Sequence, residues 1–163
     1  MKKTIFITAL AAILILSCKK KTTTTATNTT TPPPNITVNQ LVFGINGGTT
    51  YTATTVSSLI NNIIDIEGGP SSRNIQVDLR IPNSVGTYTL NGGSTNATYI
   101  IVDSNNVYRT DATHTGTVNI TQYDSTNRKI SGKFSFNALI TSTTGTITPT
   151  ISITNGSFTN VSF

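Results

Sequence analysis

Between Thr117 and Leu139 the chain reads TVNITQYDSTNRKISGKFSFNAL, and its apolar residues keep a period of two. Val118 and Ile120 alternate with polar neighbours, Asp124 to Arg128 break the pattern, and Ile130, Phe134, Phe136 and Ala138 resume it. The last four stand on even positions and so share one face of a strand. Two half-buried strands across a polar connection predict a β-hairpin. A hairpin is marginal by itself, so its apolar face requires more sheet.

The same alternation runs through most of the chain after the mid-thirties. Ile36 and Val38 alternate, and Leu41, Val42, Phe43 and Ile45 follow before the turn signal Asn46-Gly47-Gly48. Threonine-rich Tyr51 to Val56 is a second strand, closing a hairpin through Asn-Gly. Leu59 to Ile66 fits two periods. Leu59, Ile60, Ile63 and Ile64 suit a helix, whereas Ile64 and Ile66 with the flanking Gly68-Gly69-Pro70 favour a strand, with a short helical turn ahead of it as an option. Asn74 to Ile81 is the cleanest strand, with Ile75, Val77, Leu79 and Ile81 on one face, Gln76, Asp78 and Arg80 on the other, and Pro82 ending it. Turns at Asn83–Gly86, Asn91-Gly92-Gly93 and Asn105-Asn106 separate Thr87–Leu90, Ala97–Val102 and Val107–Arg109. Thr141 to Gly145 reads as a polar turn. Ile147, Ile151 and Ile153 then share a face that Pro149 interrupts, implying an edge or a bulge. Asn155-Gly156 reads as another turn before Ser157–Phe163, and the change of phase between Phe158 and Val161 implies a bulge. The fold class this predicts is all-β, an antiparallel β-sandwich or partly open barrel of about ten short strands.

The first 35 residues follow another logic. Lys2 and Lys3 precede the apolar run Ile5–Leu16 and then Ser17-Cys18, which is the layout of a secretory signal and too short for a permanent span. Ile15-Leu16-Ser17-Cys18 resembles a bacterial lipobox. The expected division is therefore a signal peptide at 1–17, a lipidated Cys18 with a Lys/Thr/Pro-rich tether over 18–35, and one β domain over 36–163. Several acyl chains on Cys18 make a nearly permanent anchor, so the expected partner is the membrane. Thr22–Pro34 has too little apolar surface to offset ordering, and Pro32-Pro33-Pro34 make a stiff spacer. With one cysteine in the chain, no disulfide forms within it.

Charge divides the chain the same way. The total is +5, but Lys2, Lys3, Lys19, Lys20 and Lys21 all lie at the start. From Ile36 onward six basic residues (Arg73, Arg80, Arg109, Arg128, Lys129, Lys133) balance six acidic ones (Asp65, Glu67, Asp78, Asp103, Asp111, Asp124). A neutral domain offers no electrostatic footprint for nucleic acid, and Lys19–Lys21 read as a patch beside lipid headgroups.

Catalytic signals are sparse. His114 is the single histidine, with Asp111 close enough for a hydrogen-bonded loop pair, and a zinc or nucleophilic site needs more such groups. No G-x-S-x-G elbow, calcium loop, P-loop or dinucleotide fingerprint is present. No catalytic, cofactor or metal residue is assigned. Asp65 and Glu67 share a strand face opposite Ile64 and Ile66, a pair that a glycosidase-like site would use and that a solvated face also displays. Among the tyrosines, Tyr99, Tyr108 and Tyr123 are candidate ligand contacts, because tyrosine offers broad contact area at low entropic cost. Tyr123 faces away from Val118 and Ile120 if its strand carries no bulge.

Gly86-Thr87-Tyr88, Gly116–Asp124 (GTVNITQYD), Ile130–Phe136 (ISGKFSF) and Ile153–Phe158 (ITNGSF) resemble a family of small lipid-anchored β proteins of unknown function from Bacteroidota-type bacteria. The likeness covers Leu41–Phe163 and is distinctive after Gly86. It implies one compact β domain behind a lipobox and spacer, and it brings no catalytic residues. Asp124-Ser125-Thr126 also resembles the short O-glycosylation acceptor of such bacteria. The chain lacks the acidic run after the cysteine that accompanies surface display there, which implies an outer-membrane lipoprotein on the periplasmic side. The expected function is a non-enzymatic envelope lipoprotein serving as a binding or structural module, with a glycan, a peptide or an envelope protein as its partner. The alternatives are a carbohydrate-active or peptidoglycan-linked enzyme using carboxylates such as Asp65 and Glu67, and a carrier of a small apolar ligand in a barrel cavity.

Overall fold

The computed structural model describes residues 39–104, 106–140 and 150–163. The signal, Cys18, the tether and the expectations at Ile36, Val38, Asn105, Thr141–Gly145, Ile147 and Pro149 lie outside them. Among the described residues ten strands form: β1 Gln40–Ile45, β2 Thr50–Ile60, β3 Ile63–Gly69, β4 Ile75–Pro82, β5 Gly86–Leu90, β6 Asn96–Ile101, β7 Asn106–Arg109, β8 Gly116–Asp124, β9 Lys129–Ile140 and β10 Thr150–Ser162. A 3-10 turn, Val102–Ser104, follows β6.

All pairings are antiparallel, and they run β10-β1-β2-β3-β4-β6-β7-β9-β8-β5 with a further ladder between β10 and β9. β9 is where the sheet forks. One of its edges pairs with β8 over Lys129–Phe136 and then with β7 through Leu139 and Ile140, while its other edge carries β10. The sheet curls back on itself, and among the described residues the β7–β9 seam pairs Tyr108↔Ile140 and Arg109↔Leu139. The all-β expectation of about ten strands stands, as one curled antiparallel sheet among the described residues.

The inward face follows from the alternation. Leu41, Phe43, Ile64, Ile66, Val77, Leu79, Ile81, Val118, Ile120 and Ile130 have no exposed surface, and Phe134 and Phe136 retain 4% and 2%. On β9 and β10 bulky and bare positions face one another: Phe134 opposite Gly156, and Gly132 opposite Phe158. A methyl group on Gly156 would stand 2.6 Å from the Phe134 ring. Each glycine makes room for the ring across the ladder, and Phe134 stacks at 6.4 Å from Phe158 and 6.3 Å from Phe136.

Three local readings change. Leu59 and Ile60 belong to β2, and no helical turn precedes β3. Asn61 and Asn62, at φ of 51° and 63°, close a two-residue hairpin, because asparagine tolerates the left-handed region that such a hairpin turn requires. Asn155-Gly156 is not a turn. Asn155 (φ 52°) opens a bulge inside one continuous β10, whose ladder to β9 steps from Ile153 to Gly156. The bulge expected between Phe158 and Val161 is present, at Asn160 (φ 47°), whose N–H donates to Ser131 Oγ at 2.9 Å. The third change concerns Tyr123. The β8–β9 ladder shifts between Ile120 and Gln122, which flips the alternation and turns Tyr123 onto the core side.

Candidate functional site

On the outer face of β3, β4, β6 and β7 the register lays charged and amide side chains in two rows. Glu67 faces Asp78, Asp78 faces Thr98, and Thr98 faces Arg109; beside that row Asp65 faces Arg80, and Arg80 faces Asn96. The alternation that sends Ile64, Ile66, Val77 and Leu79 inward places these residues outward, since successive side chains on a strand point to opposite faces. With Gly92 and Thr110 as its rim, this surface forms a cleft of about 340 Å³.

Asp78 is its electrostatic centre. It is half-buried and has no hydrogen-bond or ion-pair partner among the described residues. Loss of hydration, followed by the negative charges of Asp65 and Glu67, pushes its carboxyl up to about 6, against the opposing pull of Arg80 and Arg109. Like charges directly across a ladder are destabilising, so the Glu67–Asp78 pair is a local cost that the fold carries. Arg80 Nε stands 4.0 Å from Asp65 Oδ1, and both side chains are solvated, a geometry that contributes little to stability.

A second, larger groove of about 450 Å³ crosses β8, β9 and β10 where the Asn155 bulge bends the sheet. Thr117, Asn119, Ser135 and Ser157 line it, and Lys133 is its one charge. The smaller cleft is the better chemical candidate, because groups of both charge signs converge there around a half-buried carboxylate.

The tyrosines lie elsewhere. Tyr99 and Tyr108 face each other in register, their rings 5.8 Å apart, but they point inward and keep only 3% and 8% exposure; burial raises the Tyr99 hydroxyl above its ordinary value. Tyr123 is separate, stacked on Phe163 at 5.5 Å. The structure thus brings Tyr99 and Tyr108 together beneath the cleft rather than in it. His114 is the expected loop histidine: Asp111 Oδ1 accepts from the His114 N–H at 2.6 Å and the Thr113 N–H at 2.8 Å and lies 3.1 Å from His114 Nδ1. Those donors hold the Asp111 carboxyl well below the usual range. Among the described residues no group of three or more His, Cys, Asp or Glu is arranged to hold a metal ion, and no helix is long and apolar enough to cross a membrane.

The strand patterns hold a signal for Asp65, Glu67, Asp78 and Arg80, which alternate with isoleucine, valine and leucine. Arg109 carries none, because only the β6–β7 register brings it to the row.

A family model described as "Domain of unknown function (DUF6252)" matches residues 39–162. No curated protein and no solved structure matches the chain.

Proposed function

We propose, from the premise that the chain belongs to the DUF6252 family of domains of unknown function, that it is a non-catalytic glycan-binding lipoprotein of the bacterial cell envelope. In this reading Cys18 carries the acyl anchor behind the signal peptide at 1–17, and the domain stands on the periplasmic side of the outer membrane in a Bacteroidota-type bacterium. The observation that carries the binding role is the cleft around Asp78, lined by Asp65, Arg80, Asn96, Thr98 and Arg109. A sugar hydroxyl both donates and accepts a hydrogen bond, so alternating carboxylate, amide, hydroxyl and guanidinium groups suit a hydroxyl-rich ligand. Such a ligand would also supply Asp78 with a donor that it does not find among the described residues.

The test is a glycan array and an envelope pull-down with the full chain, beside Asp78→Asn and Arg109→Ala. The wild-type chain is expected to retain a polysaccharide that both variants lose. Blank results with the folded wild type would remove the binding role.

One observation favours a second reading. A carboxyl poised near 6 beside Asp65 and Glu67 matches the acid of a glycoside-cleaving pair. Reducing ends released by the wild type and abolished in Asp78→Asn would establish it. Hydrolysis that survives in Asp78→Asn would exclude Asp78 as the acid.

A further inference from the structure

Five large apolar side chains stay in solvent among the described residues, and four of them gather at one end of the sheet. Val56 is 75% exposed, Leu59 36%, Ile60 58% and Val85 62%. β1 begins at Gln40, opposite Thr54 of β2, so the last six residues of β2 overhang the point where the chain enters the sheet. At ~3.3 Å per residue that overhang extends about 20 Å. Asn83 Nδ2 donates to Asn62 Oδ1 at 3.4 Å, which joins the β4–β5 connection carrying Val85 to the β2–β3 tip. The carboxy-terminal Phe163 lies at the same end, as do Arg128, whose guanidinium sits over its ring, and Lys129, which donates to Ser162 Oγ. Asp124, on the same turn, directs its carboxylate to the N–H groups of Thr126 and Asn127. Val102, the fifth exposed apolar residue, follows β6 at the opposite end.

We propose that this end, tipped by Leu59, Ile60 and Val85, rests on the bilayer that holds the chain's own anchor, with the apolar tips in the headgroup layer and Arg128 and Lys129 toward anionic lipid. The proposal depends on the reading that Cys18 is lipidated. From Cys18 to Val38 there are 21 residues. Even fully extended they span at most about 75 Å, and they join the domain at this same end. A surface held that close meets the patch at high effective concentration, so a small apolar area is enough. Exposed apolar clusters on a small domain mark interaction sites, and the direction of chain entry selects the lipid surface.

The test uses the full lipidated chain on vesicles of phosphatidylethanolamine and phosphatidylglycerol. Because its only cysteine carries the anchor, an environment-sensitive label can be placed by Ile60→Cys, by Val85→Cys, or by Thr49→Cys in the β1–β2 turn at the far end. Blue-shifted emission with quenching by bromolipid at both tip positions, and aqueous emission at Thr49→Cys, is the expected result. Labels at the tip as aqueous as at Thr49→Cys, on protein that floats with the vesicles, would overturn the proposal while sparing the anchor. Protein that fails to float would overturn the anchor and this proposal together. Tip shielding that vanishes as lipid is added in excess would assign the patch to a second copy of the chain, and so also overturn it.

Discussion

Replacing Asp78 with asparagine should stabilise the domain above pH 7 and leave it almost unchanged near pH 4. The carboxyl titrates near 6 in the folded domain against 3.8 when solvated, so the folded state binds the proton more tightly than the unfolded state does. The stability this contributes is complete below pH 3.8 and is lost as pH rises through 6. Two units of difference correspond to about 3 kcal/mol, and about 2 kcal/mol is expected for a half-buried group that water partly reaches. Asparagine keeps the shape and removes both the charge left without hydration and its repulsion from Glu67 and Asp65. For a domain of this size the gain should appear at pH 8 as a rise of about 8 °C in Tm. Urea unfolding at pH 4.5, 6 and 8 checks it, followed by tyrosine fluorescence, since the chain has five tyrosines and no tryptophan. Asp111 and Asp124, both held below their ordinary values by local hydrogen bonds, act in the opposite direction as pH falls through 3.8. The variant-minus-wild-type difference cancels them. A variant less stable than wild type at pH 8, or a difference independent of pH, would refute the electrostatic account of the cleft.

Two substitutions test the packing of the forked sheet. Phe134→Ala should cost ~3–5 kcal/mol in denaturant unfolding, since the ring is 4% exposed and stacks on Phe136 and Phe158; a loss below ~1 kcal/mol would place Phe134 outside the core. Gly156→Ala should cost ~1–3 kcal/mol through overlap with the Phe134 ring, and less in a Phe134→Leu background, so a double-mutant cycle with no coupling would argue against the glycine–ring pairing.

What could be read from the residues was what is local. On β4, β8 and β9 the period of two is complete within each strand, so Val77, Leu79, Ile120, Phe134 and Phe136 declare their face without knowledge of any partner. Bulges are different. Asn155-Gly156 carries the same residue types whether the chain reverses or merely kinks, because both need a left-handed residue. The decision lies with β9, which is long enough to pair on both sides of the kink. Thr121 gives no sign of the ladder shift that turns Tyr123 inward, so its face could be stated only on condition that the strand was regular. The Asn61-Asn62 turn is the local exception: two asparagines between isoleucine runs supply the positive φ values of a two-residue hairpin.

The cleft shows the same division between local and distant information. Asp65, Glu67, Asp78 and Arg80 are visibly outward-facing charges on alternating strands. That Glu67 and Asp78 oppose each other directly, with Arg109 two strands further along, depends on a register that no single segment contains. The zero net charge from Ile36 onward therefore concealed a concentrated site. Three of the domain's six carboxylates and two of its four arginines from Ile36 onward meet on one face, which scattered positions along the chain had made look like ordinary solvation. Their convergence sets Asp78 apart from Asp111 and Asp124: those two are satisfied by their own turns, whereas Asp78 faces the cleft with no hydrogen-bond partner among the described residues.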